Sequence, residues 1–207
     1  GTSGGLIVTG TDGGDAGTIA DAGTGGTIQN KSGDAIVLNN TRDVSLNGVT
    51  IANATGGSWI DADNVTGLTL RNVNANNSFD HGIDGTNITN LVIQEGLYQG
   101  GGTLNGIANI NGINITNLLG TSSVTDATFE RANTVQFRVN NNTATNFGGA
   151  PDTLTVSGTT WQNHNVSPFH GDHLSVSSDT GGNFSLNVNN TDGVNTFKTA
   201  GIAVQAA

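Results

Sequence analysis

Two stretches near the start of the chain repeat one phrase: Asn40-Thr41-Arg42-Asp43-Val44-Ser45-Leu46-Asn47-Gly48-Val49-Thr50-Ile51 and Asn64-Val65-Thr66-Gly67-Leu68-Thr69-Leu70-Arg71-Asn72-Val73-Asn74-Ala75. Each begins with Asn, and apolar residues alternate with polar ones at the same positions. Shorter copies begin at Asn87 and Asn114, where residues 114–118 repeat residues 87–91 letter for letter. A self-similar period of about 24 residues indicates stacked structural units.

The apolar residues alternate with the period of two that is typical of β-strands, and no stretch has the pattern of an amphipathic helix. Residues at equivalent positions of successive repeats are called a column below. Three strand columns can be followed: Ile36, Ile60, Ile83 and Ile107; then Val44 with Leu46, Leu68 with Leu70, and Leu91 with Ile93; then Ile51, Ala75 and Tyr98. Three short strands per coil predict an all-β, right-handed parallel β-helix of about seven to eight coils. Two strands per coil would give the same columns, but a repeat of this length has room for three.

The organisation predicted from these columns is a single β-helix domain over residues 1–207. Residues 1–32 form irregular, Gly-rich first coils. Residues 33–118 form regular coils of about 23–27 residues, the length of the repeat itself. Residues 119–207 form longer coils with insertions at their turns.

Composition excludes several classes of partner. The chain has 207 residues and a net charge of −10, with only six basic residues, which are scattered. We therefore expect no nucleic-acid partner, and no apolar run is long enough for membrane insertion. The absence of Cys excludes disulfides and thiolate metal sites. Because the chain starts at Gly1 without a signal peptide, we expect a processed protein or a piece of a longer one.

Two further columns have a predicted structural role. The first is an Asn ladder at one turn, made of Asn40, Asn64, Asn87 and Asn114. Asn tolerates the left-handed backbone of a tight corner, and its amide can bond to the same amide above and below. The second is an aromatic stack of Tyr98, Phe129 and Trp161. An inward stack would fill the core, whereas an outward stack would offer a platform for sugars; the preceding Ile51 and Ala75 favour the inward interpretation.

The candidate catalytic residues are Asp61 and Asp84, which share a column and point outward, with His81 nearby. Stacked strands would hold the two carboxylates about 5 Å apart, which suits a retaining glycosidase or a shared Ca²⁺ ion. The alternative is a pair of solvated aspartates on an acidic surface. No cofactor is predicted, and Ca²⁺ is the ion left open.

A candidate transition-metal site lies in the loop before Leu174, where His170, Asp172 and His173 follow His164. His-x-Asp-His spacing can bind such a metal. The alternative is that these are ordinary polar loop residues.

The repeated Asn-Val/Ile-Thr-Gly/Asn-Leu turn between short apolar strands resembles the parallel β-helix repeat of large secreted bacterial surface proteins. The segment Asn117-Leu118-Leu119-Gly120-Thr121-Ser122-Ser123-Val124-Thr125 looks like a recurring phrase of that group. The resemblance covers about residues 33–207 and implies the pectate-lyase-like superfold, which autotransporter passengers and adhesins share with polysaccharide lyases, polygalacturonases and phage tailspikes. It specifies a fold and leaves the activity open. Of the polygalacturonase pattern only His81-Gly82 is present, and an Arg-Ile-Lys segment is missing, so that activity is not carried over.

The expected function is therefore a non-enzymatic, extracellular or cell-surface β-solenoid: a stalk, a surface fibre or an adhesin passenger segment. Both ends are expected to be uncapped, so flanking coils of a longer chain or end-to-end self-association into a filament should cover them. The alternatives are a polysaccharide lyase or glycoside hydrolase that uses the Asp61 and Asp84 face, or a carbohydrate-binding module.

Overall fold

The computed structural model describes residues 6–9, 25–101, 110–142, 151–162, 172–178, 184–189, 196–197 and 202–206, with the backbone alone in the last two segments. Every regular element in these residues is a β-strand. The strands in chain order are β1 (Ile7–Thr9), β2 (Thr27–Lys31), β3 (Ile36–Asn39), β4 (Arg42–Asn47), β5 (Thr50–Ala54), β6 (Ile60–Arg71), β7 (Asn74–Ser78), β8 (Ile83–Thr89), β9 (Val92–Gln94), β10 (Leu97–Gln99), β11 (Ile113–Leu119), β12 (Thr121–Thr125), β13 (Thr128–Glu130), β14 (Phe137–Asn141), β15 (Asp152–Ser157), β16 (Thr160–Gln162), β17 (Leu174–Ser178), β18 (Phe184–Val188), β19 (Thr196–Phe197) and β20 (Ile202–Ala206).

All strand pairs among these residues are parallel, and each joins one repeat to the next. The strands form a 13-stranded sheet and a 7-stranded sheet, the latter in the order β19-β16-β13-β10-β7-β5-β2. The 12-residue strand β6 spans two strand columns, because its first part pairs with β3 and β8 and its second part with β4 and β9. The protein is thus an all-β, solenoid-like stack of parallel strands, and the first and second strand columns belong to one sheet.

The strand register confirms most of the predicted columns. Ile36 pairs with Ile60 and Ile60 with Ile83 in the first column. In the second column Leu46 pairs with Leu70, which pairs in turn with Ile93.

One member of the first column is different from the prediction. Ile83 pairs with Ile113, whereas the predicted member, Ile107, lies outside the described residues. The spacing between repeats is 23 or 24 residues from β2 to β8, and 30 residues between β8 and β11. The longer repeats therefore begin before residue 118, where the predicted boundary lies.

The inward side chains of all three columns form one continuous apolar core. β-Branched and Leu side chains alternate with polar ones along each strand, so one face of each strand is buried and the other faces outward. Each fully buried Ile or Leu contributes roughly 1.5–3 kcal/mol of burial free energy. Each repeat is therefore stabilised by apolar contacts with the repeats on either side of it.

The chain turns its corners, several of which lie within a strand, at residues in the left-handed conformation that stack in four columns. These corner columns are Asn40, Asn64, Asn87 and Asn117; Asp43, Gly67, Asn90 and Gly120; Gly48, Asn72, Glu95, Asp126 and Gly158; and Asn30, Asn53, Asn77, Gly100 and Arg131. Asn, Asp and Gly adopt this conformation at lower cost than other residues. Glu95 and Arg131 are the exceptions in the described chain, and both occupy positions that are Asn or Gly in the preceding repeat.

Candidate functional site

The candidate carboxylates lie side by side on the outer face of the 13-stranded sheet. Asp61 of β6 pairs with Asp84 of β8, which pairs with Asn114 of β11, and Asn114 pairs with Arg138 of β14. The alternation of each strand directs these residues outward, because their neighbours Ile60, Ile83, Ile113 and Phe137 are buried.

The Asp84 carboxylate is part of a hydrogen-bonded chain of side chains. Asn114 donates from Nδ2 to Asp84 Oδ1 at 3.0 Å, and Asn111 donates from Nδ2 to Asn114 Oδ1 at 3.1 Å. The Asn111 Oδ1 atom accepts the backbone N–H of Val135 at 3.2 Å. One oxygen of Asp84 is therefore already occupied by the next repeat.

The carboxyl group of Asp61 is surrounded by other carboxylates. Partial burial raises the pKa of Asp61, and the negative charges of Asp34, Asp84 and Asp63 raise it further. The neighbouring Asp34 is engaged elsewhere, because its Oδ1 atom accepts the backbone N–H of Ser58 at 2.7 Å. A raised pKa at a carboxyl group is a property that general acids share with purely structural acidic clusters.

His81 is held by the backbone of the following repeat. Its Nδ1 atom accepts the N–H of Asn111 at 2.8 Å, so this nitrogen carries no proton in the observed arrangement. Its Nε2 atom lies 3.9 Å from Asp80 Oδ1, beyond hydrogen-bonding distance, and the side chain is 15% exposed. One ring nitrogen of His81 is thus unavailable for proton transfer.

Arg138 also lies on this face, although the sequence did not predict it there. The strand register places it two strands beyond Asp84 in the same column, a separation of about 10 Å. The alternation of Phe137, Arg138 and Val139 indicated that Arg138 points outward. Its alignment with Asp84 was not found, because the repeat between β8 and β11 is 30 residues long.

Of the predicted Asn ladder, Asn64 and Asn87 are hydrogen-bonded to each other, and the next member is Asn117 in place of the predicted Asn114. Asn87 donates from Nδ2 to Asn64 Oδ1 at 2.9 Å, and Asn117, not Asn114, donates to Asn87 Oδ1 at 2.9 Å. Asn114 lies within strand β11 beside Asp84, because the apolar residues align Leu118 with Ile88. Asn40 occupies the same corner column, but its side chain hydrogen-bonds to Asn39.

A second Asn ladder was not predicted. Asn53 donates to Asn30 at 3.4 Å and Asn77 donates to Asn53 at 3.3 Å, at a different corner. Its members recur at the period of the repeat and so could have been found in the sequence.

The aromatic column lies inside the protein. The Tyr98 and Phe129 ring centroids are 5.2 Å apart and those of Phe129 and Trp161 are 4.5 Å apart, with the rings nearly parallel. All three side chains are buried, and burial raises the pKa of Tyr98. Trp161 Nε1 donates to Thr159 Oγ1 at 2.6 Å. These rings are therefore core residues and offer no platform to a sugar.

The predicted metal site is not assembled in the described part of the chain. His173 is completely buried, and its Nδ1 atom lies 2.7 Å from Gln136 Oε1 beside the Trp161 ring. His173 directly precedes strand β17, and its side chain points inward and not towards the surface of the loop. Asp172 is half-buried, while His164 and His170 lie outside the described residues. Within the described segments, no three His, Cys, Asp or Glu side chains are grouped as metal ligands.

Comparisons with known proteins found no match to the chain among family models, curated proteins or solved structures. In the residues that the structure describes, no helix has the length and apolar character needed to cross a membrane.

Proposed function

We propose that the chain is a non-enzymatic structural or adhesive segment of a secreted bacterial surface protein. Its architecture in this proposal is a right-handed parallel β-helix with three strands per coil and about seven to eight coils. Support comes from the three strand columns, which recur in fixed order along the chain, and from the corner columns between them. The extracellular location rests on the resemblance of the repeated turn to secreted surface proteins.

The observation that carries the proposal is the direction of the outer hydrogen bonds. Polar side chains on the outside bond to the equivalent or adjacent column in the next repeat, and so they run along the stack. Examples are Asn87 to Asn64, Asn77 to Asn53, Asn114 to Asp84, and Gln162 to Glu130. Groups arranged in this way reinforce a fibre, whereas a catalytic site needs several polar groups directed at one point.

The candidate catalytic residues fit the structural role. Asp84 accepts a bond from Asn114, and the Nδ1 atom of His81 accepts a bond from the backbone. Both contacts hold adjacent repeats together. In a working active site these atoms would face a substrate.

Self-association is the second part of the proposal. The strands β1, β2 and β3 at one end and β18, β19 and β20 at the other continue the three columns. A further repeat of the same kind, from the same chain or from a second copy, would extend each column by one strand. Edge strands favour such pairing because their backbone groups can hydrogen-bond to an added strand.

One observation favours an enzyme as the second candidate. Arg138 shares its outward column with Asp61 and Asp84, so a basic group and two carboxylates face the same side. A lyase that removes a proton from an acidic sugar requires both kinds of group, the carboxylates to hold a cation and the base to take the proton.

To distinguish the structural role from the lyase, the purified protein is incubated with acidic and neutral polysaccharides, with and without Ca²⁺. New reducing ends and unsaturated products are then measured. We expect no cleavage. Cleavage that disappears in an Asp61→Asn, Asp84→Asn double variant and persists in Asp43→Asn, an exposed carboxylate at a corner, would overturn the structural proposal in favour of the lyase.

A further inference from the structure

The chain contains Asn-x-Ser/Thr triplets, which the structural role proposed above leaves unexplained. Such a triplet is the acceptor sequence for an N-linked sugar, and a modified Asn belongs at the protein surface. The sugar is bonded to the Asn Nδ2 atom, and the hydroxyl group two residues later is part of the recognised sequence. Both groups must therefore be open to solvent in a triplet that is modified after folding. The sequence has eleven triplets, and the structure describes seven completely: those that begin at Asn30, Asn39, Asn53, Asn64, Asn76, Asn87 and Asn114.

Three of the seven triplets have an Asn side chain that is engaged with the preceding repeat. The Nδ2 atoms of Asn53, Asn87 and Asn114 donate to side-chain oxygens one repeat earlier, at 3.4, 2.9 and 3.0 Å. In each case the nitrogen that would be bonded to a sugar faces a neighbouring side chain. A sugar at this position would displace the neighbour and break the hydrogen bond. These three triplets are therefore closed in the folded protein.

Two further triplets have a hydroxyl group that is covered. In the triplet that begins at Asn76, the Ser78 side chain is buried, and its hydroxyl donates to the Asp80 carbonyl oxygen at 2.7 Å. In the triplet that begins at Asn39, the Thr41 hydroxyl oxygen is buried. An enzyme that reads the hydroxyl group has no access to either triplet in the folded chain. Two of the seven triplets therefore remain.

The remaining triplets begin at Asn64 and Asn30, which are the first members of the two Asn ladders. In each ladder the Nδ2 atom is directed at the Oδ1 atom of the preceding repeat, so the first Asn accepts a hydrogen bond. Within the described residues, neither of these two side chains donates one. The first ladder ends at Asn64 because the Asn40 side chain bonds to Asn39. Both first members are exposed, so their Nδ2 atoms are open to solvent.

The Asn64 triplet presents both of its groups on the outer surface. Asn64 and Thr66 are exposed, while Val65 between them is completely buried. The amide and the hydroxyl therefore lie on the same outer side of β6. The Asn64 Oδ1 atom accepts the hydrogen bond from Asn87, and a sugar on Nδ2 leaves this oxygen in place. The Asn ladder is thus compatible with a modified Asn64.

We propose that Asn64 is an acceptor for N-linked glycosylation of the folded protein, and that Asn30 is a second acceptor selected by the same rule. The Asn64 Nδ2 atom attacks the anomeric carbon of a hexose carried on a nucleoside diphosphate. The bond between this carbon and the diphosphate oxygen breaks, and the amide nitrogen passes one proton to a base of the transferase. The inference does not depend on the structural function proposed above, because a lyase on this fold would contain the same two ladders.

The test uses the purified, folded protein with UDP-glucose and a glucosyltransferase that recognises Asn-x-Ser/Thr. Peptide mass spectrometry measures the modified fraction at each Asn over time. We expect a hexose on Asn64 and Asn30, and a rate at Asn87 that is about tenfold lower, the factor for opening one hydrogen bond. Synthetic peptides of residues 60–68 and 83–91 should be modified at similar rates, because neither is part of a ladder.

The variant Asn64→Gly tests the role of the ladder. Glycine keeps the left-handed corner and removes the oxygen atom that Asn87 bonds to. The Nδ2 atom of Asn87 is then released, and the modification should move one repeat along the chain to Asn87. Thr66→Ala should remove the sugar from Asn64 and leave it on Asn30. The control is Asn40→Gly, at an exposed left-handed corner that begins no triplet, and it should leave the sugar on Asn64.

The absence of a hexose on Asn64 of the folded protein would overturn the proposal. Equal rates at Asn64 and Asn87 in the folded protein would contradict the role of the ladder. So would an Asn64→Gly variant in which Asn87 stays unmodified. If Asn64→Gly does not fold, the rates in the wild-type protein and in Thr66→Ala decide the question.

Discussion

The indole ring of Trp59 lies against Gly82 of the next repeat, in the space that any side chain at position 82 would occupy. A Cβ atom on Gly82 would overlap the ring and the carbonyl oxygen of Gly112, which belongs to the repeat after that. Trp59 is one of the largest fully buried side chains. Three successive repeats therefore meet at one position where only glycine fits, and the His81-Gly82 pair has a packing reason that is independent of catalysis.

Gly82→Ala should destabilise the protein by about 1–3 kcal/mol, because the methyl group forces Trp59 and the backbone apart. Urea denaturation measures the change. The matched control is Gly33→Ala, since a Cβ atom at Gly33 meets nothing within 4 Å. Equal stability of the two variants would show that the contact between Trp59 and Gly82 is not tight.

The identity of the Asn ladder is tested by comparing Asn117→Ala with Asn114→Ala. Asn117 has a left-handed backbone (φ 63°), donates to Asn87 and accepts the N–H of Asn142 at 3.0 Å. Its replacement by Ala adds backbone strain to lost hydrogen bonds and should cost about 2–3 kcal/mol. Asn114 lies in the same strand without a left-handed backbone, so its replacement by Ala should cost about 1 kcal/mol less than that of Asn117. A larger cost for Asn114→Ala, measured by chemical denaturation, would restore the register predicted from the repeated letters.

The aromatic column should be the most sensitive part of the core. Phe129→Ala removes a ring that lies between Tyr98 and Trp161 and leaves a cavity, so a loss of about 3–5 kcal/mol is expected. Phe79→Ala is the control, because Phe79 is 38% exposed and should change stability by less than about 1 kcal/mol. Thermal unfolding that ranks the two variants in the opposite order would be inconsistent with an inward stack.

Asp61 should make stability depend on pH in a definite direction. Burial and neighbouring carboxylates raise the pKa of Asp61 above its ordinary 3.8, so the folded state holds the proton more tightly than the unfolded state. The contribution of Asp61 to stability is then favourable at low pH and is lost as the pH rises from 3.8 through the raised pKa.

Asp61→Asn should therefore be more stable than the wild-type protein at about pH 7, by no more than ~0.5 kcal/mol because solvent screens a partly exposed group. The difference should shrink in high salt and vanish near pH 3. A variant less stable than the wild-type protein at neutral pH would mean that the ionised carboxylate makes a favourable contact.

How far the sequence predicts this structure is best seen at residues 83–118. The apolar alternation correctly aligned Ile36, Ile60 and Ile83, because inward residues must stack on inward residues. The predicted alignment is wrong at the next repeat. There the identical sequences of residues 87–91 and 114–118 suggested an offset of 27 residues between the two repeats. The structure has a shift of 30, since this places Leu118 on Ile88 and a left-handed Asn117 at the corner.

The candidate site shows the same limit. A column of outward residues could be read from strand alternation, and the neighbours Asp61 and Asp84 were predicted in this way. The position of Arg138 and the burial of Glu95 were missed, because they depend on the lengths of intervening turns and on which side chains the fold covers. The residues next to Glu95 in the sequence do not show that its side chain is buried in the fold.

Residues one repeat apart should stack side by side along the parallel solenoid, and pairs of engineered cysteines test this stacking most directly. The chain has no native Cys, so Thr66→Cys with Thr89→Cys, which pair between β6 and β8, can be oxidised without competing thiols. We expect an intramolecular disulfide to form rapidly in this variant, because paired strands lie about 4.8 Å apart. We expect no such disulfide in Thr66→Cys with Thr116→Cys, since Thr116 pairs with Thr86 and not with Thr66. Failure of the first pair to cross-link, or equal cross-linking of both, would contradict the stacked register.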